Sequence, residues 1–178
     1  MRLLPYLLLL LTLCPSRLTI AAEAQATDTY QLVHAYPHDE QAFTQGLIYL
    51  DGHLYESTGL QGHSSLRMED LDTGKTLQFQ GVAKEYFAEG LTDWGSTLIQ
   101  LTWVTHIALV YDRETFHQLR TFSYPGDGWG LTQDGKSLIL SDGTAALRFL
   151  DPATFRELRR ITVHDGGQFL VSRARVES

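Results

Sequence analysis

Three residues with different side-chain chemistry occupy the same place in a repeated sequence. Gln45, Glu89 and Trp129 each come directly before a Gly-Leu pair. They offer an amide that can hydrogen-bond, a carboxylate that can transfer protons and an indole that can line a pocket. If the repeat places them around one channel, they form a candidate site. The alternative is that Gln45 and Glu89 are solvated turn residues and that Trp129 simply fills the channel.

The Gly-Leu pairs mark a repeat of about forty residues, a period typical of propeller blades. Each pair begins a segment that predicts a strand, a tight turn containing glycine and a second strand. Asp51-Gly52 and Asp134-Gly135 are strong hairpin signals within these segments. The pairs themselves are Gly46-Leu47, Gly90-Leu91 and Gly130-Leu131.

A second set of turns has the same period. We place their initiating residues at Asp72, Asp112 and Asp151, each with an apolar-alternating strand on either side. Four short strands in each repeat predict an all-β fold, a β-propeller with three four-stranded blades in this chain. Propellers close with four to eight blades, so the ring is expected to be incomplete. Residues 30–36 resemble the last strand of a blade and are expected to complete a final one.

The first 24 residues predict a secretory signal peptide rather than part of the fold. Arg2 precedes an apolar run, Leu3–Leu13, which is too short to span a bilayer, and small residues suited to cleavage follow at 22–26. We therefore expect an exported protein, periplasmic or secreted. Cys14 is the single cysteine and leaves with the signal, although a lipid attachment there is a less favoured alternative.

The composition of the chain excludes some classes of binding partner and ligand. The net charge of −7 and the absence of a basic cluster argue against nucleic acid. After signal cleavage we expect no stable membrane association. The seven histidines lack the spacing of metal ligands, so we expect no metal and no cofactor.

Several motifs resemble those of the plant and bacterial glutaminyl-peptide cyclotransferases, which are exported five-bladed propellers. The resemblance covers about residues 30–168 and implies that about three of the five blades lie in this chain, with repeats over 28–168 and a divergent tail over 169–178. The segments that carry it are Phe43–Leu47, Tyr55–Gly59, Ser64–Arg67, Glu89–Thr92, Gln100–Trp103, Gly128–Thr132 and Ser141–Gly143.

The resemblance implies a reaction and roles for five residues. The family converts an N-terminal glutamine of a peptide or protein to pyroglutamate, releases ammonia and needs no metal. Glu89 matches the acid/base glutamate, and Gln45 would hold the substrate or stabilise the oxyanion. Trp103 and Trp129 would line the pocket and exclude water. Asp142 would orient the amine, or else serve only as a turn residue.

The chain also departs from the family pattern. Ala88 stands where glycine is usual, and the sequence after Gln168 does not continue as the family does. We expect a chain truncated at its C-terminus, and a monomer when the ring is complete. The rival hypothesis is a non-catalytic, incomplete propeller that binds a peptide or protein through exposed blade edges.

Overall fold

The computed structural model describes residues 29–165 and 168–169. The predicted signal peptide and all but one residue of the predicted tail, 170–178, lie outside this range. The described residues form strands and turns, with no helix among them. In particular, this part of the chain contains no helix with the length and apolar character needed to cross a membrane.

Three antiparallel sheets of four strands follow one another along the chain. Their orders are β1-β2-β3-β4, β5-β6-β7-β8 and β9-β10-β11-β12, so consecutive strands are neighbours in every sheet. This arrangement confirms the prediction of three four-stranded blades. The strands are β1 Thr44–Leu50, β2 His53–Thr58, β3 Ser65–Asp70, β4 Thr76–Gly81, β5 Ala88–Trp94, β6 Thr97–Thr102, β7 Ile107–Asp112, β8 Gln118–Ser123, β9 Gly130–Gln133, β10 Leu138–Ser141, β11 Ala146–Leu150 and β12 Glu157–Thr162, followed by a short pair, β13 His164–Asp165 and β14 Gln168–Phe169.

Turn chemistry fixes the first hairpin where the sequence indicates it. Asp51 and Gly52 have φ angles of 50° and 86°. A two-residue loop with positive φ at both positions is a type I′ turn, whose twist matches that of the flanking strands. The Asp51-Gly52 dipeptide therefore sets the register of β1 against β2.

The second set of turns begins with an aspartate in every blade, but not with the one expected in the first. Asp112 Oδ1 accepts hydrogen bonds from the backbone N–H and the hydroxyl of Thr115, at 2.9 and 2.8 Å. Asp70, not Asp72, accepts the matching pair from Thr73. The prediction of Asp72 was wrong because the turn needs a threonine three residues after its aspartate, and Asp72 lies next to Thr73.

The repeated glycine is explained by the packing of the first strands of neighbouring blades. A Cβ atom on Gly46 would lie 2.6 Å from the backbone nitrogen of Leu91. One on Gly90 would lie 2.6 Å from both the Leu131 nitrogen and the Trp129 carbonyl oxygen. Since backbone atoms cannot rotate away, only glycine allows β1, β5 and β9 to approach this closely.

Strand β6 contributes to two cores because its side chains alternate between the sheet faces. Leu98 packs between the first two blades, in a cluster with Tyr55, Leu66 and Leu91. Ile99 and Leu101 pack on the opposite face against the third blade, in a cluster that includes Leu138, Leu140 and Leu150. Full burial of each such side chain contributes about 1.5–3 kcal/mol. The middle blade is therefore held from both sides.

The strand expected over residues 30–36 is not formed. These residues lie in no strand, and each of the three large sheets pairs only among its own four strands. An extended segment needs a neighbouring strand for its backbone N–H and C=O groups, and alternating apolar residues do not supply one.

Candidate active site

Two of the predicted site residues lie at β-bulges. The register of β1 against β2 shifts at Gln45, and that of β5 against β6 shifts at Glu89 and Gly90. A bulge adds one residue to a strand and turns a side chain out of the regular alternation. Gln45 and Glu89 are therefore directed by equivalent irregularities in two neighbouring blades, just before the glycines at which the blades meet.

Glu89 is half-buried and carries a strongly shifted pKa. Burial raises the pKa of its carboxyl group from 4.5 to about 7, and the charge of Asp127 adds to the rise. A hydrogen bond from the Gln45 side chain acts in the opposite direction by favouring the carboxylate. The site thus joins Gln45 and Glu89 directly and holds a carboxyl group that is both a usable base and a usable acid near neutral pH.

Trp103 is connected to this pair through Phe87. Its backbone N–H donates to the Phe87 carbonyl oxygen at 2.9 Å, and the two rings meet edge-on with centroids 5.7 Å apart. The Phe87 ring and the Gln45 side chain both lie against Gly59, where a Cβ atom would approach them to 2.7 and 2.9 Å. Gly59 therefore provides the space in which Gln45 and Phe87 lie side by side.

Trp129 lies on the other side of Glu89, immediately before β9. Its carbonyl oxygen accepts a hydrogen bond of 2.8 Å from the N–H of Gly90, the residue after Glu89. Its ring covers Gly143, where a Cβ atom would come within 2.9 Å of the indole. The Nε1 atoms of Trp129 and Trp103 are both buried and have no hydrogen-bond partner among the residues that the structure describes. Two indole donors are thus available for an acceptor.

The loop that carries Asp127 is fixed by groups from two blades. His106 Nδ1 donates to the Gly126 carbonyl oxygen at 2.6 Å. Arg148, which is almost fully buried, donates from Nη1 to the Pro125 carbonyl oxygen at 2.6 Å. These bonds hold the backbone directly before Asp127, whose charge raises the pKa of Glu89.

Asp142 has the contacts of a turn residue. Its Oδ1 accepts hydrogen bonds from the N–H and the hydroxyl of Thr144, at 3.1 and 2.6 Å. This is the turn alternative stated for it above. The role of Asp142 in orienting an amine stays a prediction.

Sequence reasoning gave no role to Phe87, Gly59 or Asp127. A signal for the first was present, because Phe43 and Phe87 each stand two residues before Gln45 and Glu89. Their rings meet edge-on, with centroids 6.2 Å apart. Nothing in the spacing indicates that Gly59 faces Gln45, because that contact depends on how β1 pairs with β2. The action of Asp127 on Glu89 depends on how separate blades pack.

Comparison with known proteins identifies the family. The family model for glutamine cyclotransferase matches residues 6–173. The chain belongs to this family. A glutaminyl-peptide cyclotransferase from Arabidopsis thaliana is 42% identical over 140 residues, which make up 78% of this chain and 44% of the relative. The chain therefore spans less than half the length of that family member, and membership favours the enzymatic hypothesis over the binding-module alternative.

Solved structures agree with the family assignment. The crystal structure of Myxococcus xanthus glutaminyl cyclase matches with a TM-score of 0.71 and 36% identity, over 76% of this chain and 57% of that one. The Pan2 WD40 domain of Neurospora crassa matches with a TM-score of 0.56 at 15% identity, over 71% of this chain and 37% of that one. The second likeness concerns the fold alone. Together with the three blades, these matches confirm the predicted all-β propeller class.

Proposed function

We propose that this chain provides the proton-transfer part of a glutaminyl-peptide cyclotransferase site. The observation that carries the proposal is Glu89, whose raised pKa of about 7 and hydrogen bond from Gln45 suit a group that must accept and return a proton. The substrate is a peptide or protein with an N-terminal glutamine. Membership of the glutamine cyclotransferase family supports this choice of substrate and reaction.

The reaction needs no external nucleophile, since the substrate's α-amine attacks its own γ-carboxamide carbon. The Glu89 carboxylate takes a proton from the amine as the new C–N bond forms. The resulting carboxylic acid then donates that proton to the amide nitrogen, the old C–N bond breaks and ammonia leaves. The product is a five-membered lactam, and Glu89 returns to its starting state. Because attack is intramolecular, the protein contributes mainly by holding the side chain folded back over the amine.

The remaining site residues bind and orient the substrate in this proposal. The Gln45 amide stabilises the oxyanion of the tetrahedral intermediate or holds the substrate by hydrogen bonds. Trp103 and Trp129 line the pocket and exclude water. Their indole N–H groups, which have no partner within the described part of the chain, supply donors for substrate carbonyl oxygens. Asp142 is assigned the orientation of the amine. No metal or cofactor takes part in the proposed steps.

We also propose that the protein is exported, periplasmic or secreted, with residues 1–24 as its signal peptide, and is a monomer when its ring is complete. The basic start and the apolar run Leu3–Leu13 support this localisation. N-terminal sequencing of the protein recovered from cell fractions tests it. A mature N-terminus at residue 25 is expected, or at residue 27 if cleavage follows Ala26, whereas recovery of intact Met1 in the cytoplasm would refute the localisation.

Ammonia release from a glutamine-initiated peptide tests the catalytic proposal. Replacing Glu89 by glutamine removes the proton carrier but keeps the shape of the side chain, so activity should fall by about 10²–10⁴-fold. Glu85→Gln is the matched control, because Glu85 is an exposed glutamate four residues away. Quenching of tryptophan fluorescence by the same peptide reports binding separately. Equal turnover in the wild type and Glu89→Gln would refute the role of Glu89.

A further inference from the structure

A second group of ionisable side chains lies away from the Gly-Leu repeat, on one face of the first blade. Glu56 in β2 pairs with Arg67 in β3, and Glu69 lies two residues further along the same strand. These side chains share a sheet face because residues two apart in a strand point the same way. The opposite face carries the apolar core. His38 comes from the segment before β1 and approaches Glu56 with its Nε2 atom 3.1 Å from Oε1.

Three potential ligand atoms converge in this group. One atom each from His38, Glu56 and Glu69 lies within 4.8 Å of the other two. Zinc bound tetrahedrally at about 2.0–2.2 Å separates any two of its ligand atoms by roughly 3.4 Å. Small side-chain movements therefore suffice to place all three atoms around one ion.

Burial and missing partners distinguish this group from an ordinary acidic surface. Glu56 is 0% and Glu69 1% exposed. Glu56 Oε2 and Glu69 Oε1 nevertheless have no hydrogen-bond partner among the residues that the structure describes. An unpaired buried carboxylate oxygen is costly, so each of these two atoms calls for a donor or a cation.

Arg67 only partly meets this demand. Its Nη1 atom lies 4.0 Å from Glu56 Oε2 and 3.9 Å from Glu69 Oε1, and instead donates to Asp39 at 2.9 Å. Three acidic side chains, Asp39, Glu56 and Glu69, therefore surround Arg67, and a divalent cation would supply positive charge that this one arginine does not.

We propose that His38, Glu56 and Glu69 bind a divalent transition metal ion, with zinc as the best match. One imidazole nitrogen and two carboxylate oxygens are a ligand set that zinc accepts, whereas calcium and magnesium prefer oxygen alone. His38 is the most exposed of the three and provides the way in, with its side chain 38% accessible. The ion would tie the segment before β1 to the first blade. This role is structural and separate from the proposed cyclisation.

Isothermal titration of the full chain with zinc chloride tests the proposal. A Cys14→Ser background removes the single thiol, which would otherwise bind zinc. We expect one zinc ion per chain, a rise in the melting temperature with zinc but not with magnesium, and at least a tenfold loss of affinity in His38→Ala and in Glu69→Gln. His53→Ala, a histidine of the same blade outside this group, is the matched control and should bind as the parent does.

Each outcome of the titration supports or overturns the zinc site, whether or not the chain catalyses cyclisation. Absence of zinc binding in the parent chain would overturn the proposal, as would unchanged affinity in both His38→Ala and Glu69→Gln. Circular dichroism of the two variants is the control and should show unchanged β-structure. His38→Ala is the safer test because that side chain is not in the core. Zinc affinity in Glu89→Gln should equal that of the parent, so a failure of the cyclase assay leaves this result intact.

Discussion

Opposite shifts of one pKa provide the strongest test of the site geometry. The charge of Asp127 raises the pKa of Glu89, and the hydrogen bond from Gln45 lowers it. Asp127→Asn should therefore move the pKa of Glu89 down, and Gln45→Leu should move it up. Both residues act on the same carboxyl group from different blades, so the two variants test the assembled site rather than either loop alone.

The magnitude follows from the wild-type value. A carboxyl group with a pKa of about 7 is half ionised at pH 7, and at pH 6 only about a tenth of it is in the basic form. If the carboxylate is the base, kcat should fall about tenfold for each pH unit below 7. A glutamate at the ordinary value of 4.5 would show no such fall until far more acidic conditions.

The assay is ammonia release at saturating peptide from pH 5 to 9, with the parent chain and both variants. Only the pH at which kcat falls on the acidic side of each profile is compared. The maximum value of kcat is not compared, because Gln45→Leu should also lower it. The substrate's amine also titrates near neutral pH. Repeating the series below saturation separates its limb, since kcat/KM reports the free amine, whose pKa no variant can change. Limbs that coincide in all three proteins, or that shift in the same direction in both variants, would refute the account of Glu89.

Three further changes test packing and stability. Gly90→Ala places a Cβ atom 2.6 Å from the Leu131 backbone nitrogen, so the free energy of unfolding measured in urea should fall by about 3 kcal/mol. An unchanged free energy of unfolding would contradict the close approach of the blades. Gln100 is fully buried and donates to Ser57 Oγ at 2.8 Å, so Gln100→Leu should cost about 2–4 kcal/mol in the same measurement, although leucine is the more apolar residue. The raised pKa of Glu89 means that the folded chain binds its proton more tightly than the unfolded chain, so its ionisation removes stability as the pH rises from about 4.5 to 7. Glu89→Gln should therefore have a melting temperature about 2–4 °C above that of the parent at pH 8, a figure reduced to allow for the partial exposure of Glu89. At pH 4 the two melting temperatures should be equal. An equal difference at pH 4 and pH 8 would refute this reasoning.

The sequence predicts the frame of the fold because that frame depends on local chemistry. Positive φ at Asp51 and Gly52 is a property of two adjacent residues, and the glycine of the repeated Gly-Leu pair marks the same close approach to the next blade at Gly46 and at Gly90. Reasoning from neighbouring residues failed at one turn of the first blade, where two aspartates lie close together in the sequence. Asp70 initiates it rather than Asp72, and the distance to Thr73 decides between them.

The proximity of two candidate site residues could be predicted from the sequence, but the electrostatics around them could not. Gln45 and Glu89 stand out by position, whereas the effect of Asp127 depends on a loop that His106 and Arg148 hold in place. The cluster around Glu56 is harder still to find in the sequence. His38, Glu56 and Glu69 are spread over three segments and resemble no metal motif, because their proximity arises only from the pairing of β2 with β3.

The contact between neighbouring blades at Gly46 and Gly90 has a consequence for how such a protein changes over time. The contact is made by backbone atoms, so it places no demand on the side chain one position earlier. Duplication of an ancestral blade would preserve this backbone contact. Mutation could then change the residue before the glycine separately in each copy. Gln45, Glu89 and Trp129 are what such divergence would produce: three functional groups, each altered without rebuilding the architecture that presents it.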